Sequence, residues 1–135
     1  MGNSYTEEPI NSGTEEKKLI PKKMSHQKFQ SCIDACVACA VECNHCATEC
    51  LQENDIKMMV NCIQLNRQCA VICFAAAQLM SIGGEHASHL CEECAEICNA
   101  CAVECGKHSN EHCKKCADVC KKCAEVCAAM ATVNA

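Results

Sequence analysis

Between Cys32 and Cys50 the chain reads CIDACVACAVECNHCATEC, with cysteine at Cys32, Cys36, Cys39, Cys43, Cys46 and Cys50. The steps of four and three are the a/d rhythm of a heptad, so an α-helix lines all six sulfurs along one seam. The rhythm returns at Cys91, Cys94, Cys98, Cys101 and Cys105, and again at Cys113, Cys116, Cys120, Cys123 and Cys127. Cys62, Cys69 and Cys73 take the same positions in the segment between. All nineteen cysteines therefore fall at a or d. That seam is the core of a helix bundle and normally carries Leu and Ile. A need for small apolar side chains does not account for thiols there, because alanine would serve. A bundle lined with thiols is first of all a container for metal.

The expected fold is all-α, an antiparallel up-down-up-down four-helix bundle with a cysteine-lined core. Helices are expected over about residues 25–53, 55–81, 85–105 and 110–131. Asn54 and Asp55 form a turn and cap the second helix, and Gly83–Gly84 end it. Gly106 stops the third helix, and Ser109 or Asn110 caps the fourth. Residues 1–24 hold both prolines and a mixed charge cluster, and read as a disordered tail before a bundle over 25–135. Carried through the helices, the heptad also places Phe29, Met59, Asn66, Ala76, Met80, Ala87, His108 and Met130 on the seam.

Nineteen cysteines in a short secreted chain would suggest a disulfide scaffold. Here the count is odd, and the opening MGNSYTEEPINSGTEEKK is polar rather than a signal segment. Cysteines three or four apart on a helix also have Cβ atoms about 5–6 Å apart, whereas a disulfide needs about 3.8 Å. The expectation is reduced thiols in a cytoplasmic protein. A net charge of −5 and the lack of a basic patch with aromatics argue against nucleic acid. No apolar run is expected to approach transmembrane length, so no membrane partner is expected. No acid/base constellation stands apart from the cysteines, and an enzyme is not expected.

Eight pairs of cysteines stand four residues apart, a spacing suited to two sulfurs on opposite sides of one soft ion. Thiolates select Cu(I), zinc and iron–sulfur clusters. A zinc in four cysteinates carries a net charge of 2−, and burying several such sites is unfavourable without interior cations. Cu(I) in equal number to thiolates, each sulfur bridging two ions, leaves the interior neutral. Structural zinc and cluster sites also favour turns and loops, whereas these cysteines lie mid-helix. The cofactor expected is therefore Cu(I), in multiple ions per chain. Zn(II) or Cd(II) sequestration of the metallothionein kind and thiol redox chemistry are the alternatives. The redox reading needs one selectively activated thiol, and a continuous ladder singles out none.

The ladder, the stretch NCIQLNRQCAVIC at 61–73 and CGKHSNEHCKKCADVC at 105–120 resemble the cytosolic copper storage proteins, the Csp family. The resemblance covers about residues 28–130. It implies a four-helix bundle, assembly as a homotetramer, and storage and buffering of many Cu(I) ions by cysteines inside each bundle.

The topology gathers Cys50, Met58, Met59, His108, His112 and Cys113 at one end, and Phe29, Met80, Leu90 and Met130 at the other. Thioether and imidazole suit Cu(I), so the first end reads as the mouth and the second as an apolar plug. The candidate metal ligands are the nineteen cysteines together with His108, His112, Met58 and Met59. Asn61 and Asn110 lie near the mouth as caps or outer ligands. Met80 and Met130 read as core filling. Helix 2 is apolar nearly all round, with Val60, Ile63, Leu65, Val71, Ile72, Phe74 and Leu79, which points to a homo-oligomer contact.

Overall fold

The computed structural model describes residues 13–132, with side chains from Phe29 onward. Four helices follow one another: α1 (Gly13–Cys50), α2 (Val60–Ile82), α3 (Ala87–Gly106) and α4 (Glu111–Ala131), with a 3₁₀ turn at Ile56–Met59 before α2. No strand occurs among the described residues. Each helix packs on its two neighbours in a ring, α1 on α2 and α4, and α3 on α2 and α4. This is the arrangement that short connections between antiparallel helices produce.

The boundaries differ from the expected ones in two places. Of the tail expected over 1–24, residues 1–12 lie outside the described residues, and from Gly13 the chain is already helix. Glu15, Glu16, Lys17, Lys18 and Leu19 are good helix formers, and extending an existing helix adds one bond per residue ordered. Pro21 lies inside this stretch and removes one N–H donor from it. At its other end α1 stops three residues early. Gln52 N–H donates to the Glu49 carbonyl at 3.0 Å and Glu53 N–H to that of Cys50 at 3.2 Å, so the last turn tightens and unwinds. The first expected turn of helix 2 is likewise 3₁₀ rather than α.

The capping residues stand where expected but act differently. Asp55 precedes the 3₁₀ turn and Asn110 precedes α4, yet neither side chain makes a capping bond. The extended backbone of Asn110 serves instead, its carbonyl accepting from Cys113 and Lys114 N–H at 3.1 and 3.0 Å. The α2–α3 turn does depend on glycine: Gly83 and Gly84 have φ of 89° and 111°, a region that disfavours any Cβ. Gly106 is simply the last residue of α3, with no left-handed backbone.

Contrary to expectation, the stretch Ile56–Ile82 is long and apolar enough to cross a membrane by length and composition. Ile, Leu, Val and Met supply most of that apolar character. Its inner face, Cys62, Asn66, Cys69, Cys73 and Met80, is buried in the bundle. The outer face leaves Val60, Val71 and Phe74 exposed, Val71 at 70%.

Candidate metal centre

The a/d spacing becomes a column of sulfur. All nineteen cysteines are free thiols, and every one is 0% exposed. Contacts between helices bring sulfurs together that are far apart in the chain. Cys62 lies 3.3 Å from Cys105, Cys69 lies 3.4 Å from Cys98, and Cys43 lies 3.5 Å from Cys120. These distances exceed the roughly 2.05 Å of a disulfide and fit thiols in hydrogen-bonding contact. Metal bound between such sulfurs displaces thiol protons.

Quartets of thiols with all sulfurs within 4.8 Å of one another run along the axis. Cys36, Cys94, Cys123 and Cys127 form one; Cys39, Cys73, Cys98 and Cys123 the next. Cys39, Cys43, Cys69 and Cys120 follow, then Cys43, Cys101, Cys116 and Cys120. Neighbouring quartets share Cys123, Cys39, or the pair Cys43 and Cys120. Sharing makes the column continuous and suits sulfurs that bridge successive ions. Four separate tetrathiolate sites, as zinc prefers, would have to divide those shared sulfurs.

Asn66 is the single buried polar or charged residue besides the thiols among the described residues. No Lys or Arg among the described residues enters the core. Asn66 Oδ1 accepts from Cys101 and Cys116 at 3.2 Å and from Cys105 at 3.5 Å, while Nδ2 donates to Cys62 Sγ at 3.6 Å. The amide thus sits between the fourth quartet and a further one, Cys46, Cys50, Cys62 and Cys113, at the His112 end. The heptad register placed Asn66 on the seam, but its contacts span three helices and have no local signature.

At that end the candidate ligands separate. His112 reaches the thiols: Nδ1 stands 3.5 Å from Cys46 Sγ, 3.6 Å from Cys113 Sγ and 4.0 Å from Cys50 Sγ. Its Nε2 lies 2.8 Å from Glu53 Oε2. A carboxylate only accepts, so Nε2 carries the proton and the Nδ1 lone pair faces the sulfurs. His108, placed on the seam by the heptad, pairs instead with Glu104 in the last turn of α3, Nε2 to Oε2 at 3.2 Å. The chain has left α3 by then, so the heptad no longer aims its side chain inward. Met59 is buried at 3%, whereas Met58 is 63% exposed. The three-residue period of the 3₁₀ turn separates their faces. Glu104 is legible as the residue four before His108. Glu53 is not, because its partner lies 59 residues away.

Burial dominates the acidity of Cys50 and Cys113, two of the thiols next to His112. It pushes Cys50 up, with the nearby Cys62 and Cys113 sulfurs adding to the effect. It pushes Cys113 up to about 11, Cys62 contributing second. Cys62 moves the other way, chiefly because Cys105 donates a hydrogen bond to it. At the far end Phe29, Met80 and Met130 are buried at 6%, 0% and 7% and close the column.

The sequence profile of the copper storage proteins matches residues 25–132. The Cu(I)-bound copper storage protein BsCsp3 is 44% identical, with a TM-score of 0.75 over 78% of this chain and 99% of that one. A cytosolic copper storage protein from Streptomyces lividans carrying five coppers is 31% identical, with a TM-score of 0.77 over 80% and 95% of the two chains. A cysteine-rich protein of Bacillus subtilis, YhjQ, is 45% identical over 65 residues. That match takes in 48% of this chain and spans about 60% of the length of the curated relative.

Proposed function

Because the chain belongs to the copper storage protein family, we propose that it stores and buffers Cu(I) in the cytosol, holding many ions per chain on thiolates inside the bundle. One observation carries the reading: nineteen buried, reduced thiols form a column with no buried cation among the described residues. Each ion that enters replaces a thiol proton, which leaves to solvent. A monovalent ion therefore keeps the interior uncharged at every stage of filling. A divalent ion held by four thiolates would leave two negative charges per site in a core with nothing to offset them. This favours Cu(I) over the zinc or cadmium alternative. The cytosolic structure from Streptomyces lividans supports the same compartment for this chain.

Copper passes through the His112 end in this account. The Nδ1 lone pair of His112 sits at the outermost thiols, and imidazole is a neutral ligand for a soft ion. Met59, buried at the same end of the bundle, and His108, Met58, Asn61 and Asn110 stand as further ligands or outer contacts. The exposed Val60, Val71 and Phe74 of α2 form a self-association face, with a groove of about 530 Å³ lined by Ile33, Val37, Phe74, Ala77 and Ile82. A homotetramer is the assembly in this reading. No catalysis, nucleic acid or membrane enters it.

X-ray absorption at the copper edge of the loaded protein tests the proposal. Monovalent copper with a sulfur-dominated shell and copper–copper scattering is expected. A shell of nitrogen and oxygen, or divalent copper, would contradict it.

A further inference from the structure

Eight cysteine pairs four residues apart account for sixteen of the nineteen thiols and leave Cys62, Cys91 and Cys113. Two of these meet other soft or polar partners near the His112 end. Cys113 faces the His112 ring at 3.6 Å, and Cys62 meets Cys105 at 3.3 Å and the Asn66 amide at 3.6 Å. Cys91 lies at the opposite end, and the positions four before and four after it are Ala87 and Ala95. Its thiol donates to the thioether of Met80 at 3.6 Å.

Met80 heads the fully buried side chains in size and is 0% exposed. Leucine would fill the same space. We propose that Met80 Sδ and Cys91 Sγ form a terminal Cu(I) site that closes the sulfur column at the Phe29 end. The inference rests on the copper storage reading and extends it to a residue that core packing alone does not require to carry sulfur. Thioether is a soft ligand of Cu(I). It has no proton to lose, so one ion there displaces only the Cys91 proton, which passes to solvent, and the site is neutral. The three rotatable bonds of methionine let its sulfur move apart from Cys91 as an ion comes between them. Met130, at the same end and 7% exposed, supplies apolar filling and serves as the internal control.

The test is an anaerobic Cu(I) titration of the full chain carrying ¹³C-methyl methionine, followed by NMR and by thiolate-to-copper ultraviolet absorption. The Met80 methyl resonance is expected to move during loading while that of Met130 stays in place. Met80→Leu, which conserves volume, should then retain about one ion fewer per chain against a competing chelator. If the absorption saturates with the Met80 methyl unmoved, or with Met130 moving as far, the terminal site is wrong and copper storage stands. A Met80→Leu protein that retains the parental number has the same meaning. If the absorption never develops, the storage reading falls and takes this site with it. The methyl signal in the parent decides the matter even where the variant is unstable, because nuclear Overhauser contacts to Cys91 assign it.

Discussion

Asn66→Asp changes one amide to a carboxyl of nearly the same shape, in a core where no other described residue buries a polar side chain besides the thiols. The three thiols that donate to Oδ1, at 3.2, 3.2 and 3.5 Å, remain in place. The thiol of Cys62, now receiving nothing from Nδ2, sits at 3.6 Å. No cation among the described residues lies within the core to pair with a carboxylate, so the folded chain escapes the charge by keeping the new carboxyl protonated. Unfolded, that carboxyl has a pKa of about 3.9, and each pH unit above it adds about 1.36 kcal/mol in favour of unfolding. The destabilisation therefore reaches about 4 kcal/mol at pH 7 if the folded pKa lies above 7. The sign follows from proton counts: above pH 4 the folded variant holds a proton that the unfolded one has lost, so the variant weakens as pH rises. Urea unfolding of the reduced, metal-free proteins at pH 5 and pH 7 measures this. The gap between parent and variant should widen by about 2–3 kcal/mol between the two. A gap that is constant with pH, or a variant at least as stable as the parent at pH 7, would refute the picture of a core intolerant of charge. The case for monovalent over divalent ions would go with it.

Glu53→Ala should slow copper transfer from a chromophoric chelator several-fold while capacity stays near parental, because His112 loses the partner that holds its Nδ1 toward the thiols; Glu53→Gln, which still accepts from Nε2, should restore much of the rate, and equal rates in all three proteins would contradict the role. Far-ultraviolet circular dichroism of the reduced metal-free chain should already be helical, with Tm rising as copper is added, since the unfolded chain cannot assemble the same sites; a coil that becomes helical only with copper would contradict this. Val71→Lys combined with Phe74→Lys should shift the size by light scattering toward monomer while copper capacity survives, and a monomeric parent would remove the premise.

The thiol column was legible from the sequence because it depends on one local quantity, the spacing of cysteines along a helix. A 4-3 rhythm on a helix has only one inward face, and burial of all nineteen cysteines follows from it. The need for Gly83 at the α2–α3 turn was legible for the same local reason. The early helical start at Gly13 was not, because Pro9 and Pro21 and the charge cluster carry a disorder signal as strong as the helix propensity beside them. The different fates of Met58 and Met59 were legible, because the heptad puts Met59 and not Met58 on the seam, and Met59 is the buried one. Asn66 was visible as a non-cysteine on the seam, but its part as acceptor for three thiols appears only when α2, α3 and α4 stand together. Glu53 had no signal at all: its contact with His112 joins the end of one helix to the start of another through the fold.

The central claim is that the column holds monovalent copper in numbers set by its thiols. Anaerobic titration of the reduced protein with Cu(I), against a strong Cu(I) chelator and then against excess Zn(II), followed by metal analysis of the isolated protein, measures it directly. The account predicts tight retention of on the order of one ion per cysteine, undisturbed by zinc. Saturation at about four ions, the number of separate tetrathiolate sites that nineteen cysteines allow, with zinc displacing copper, would contradict it.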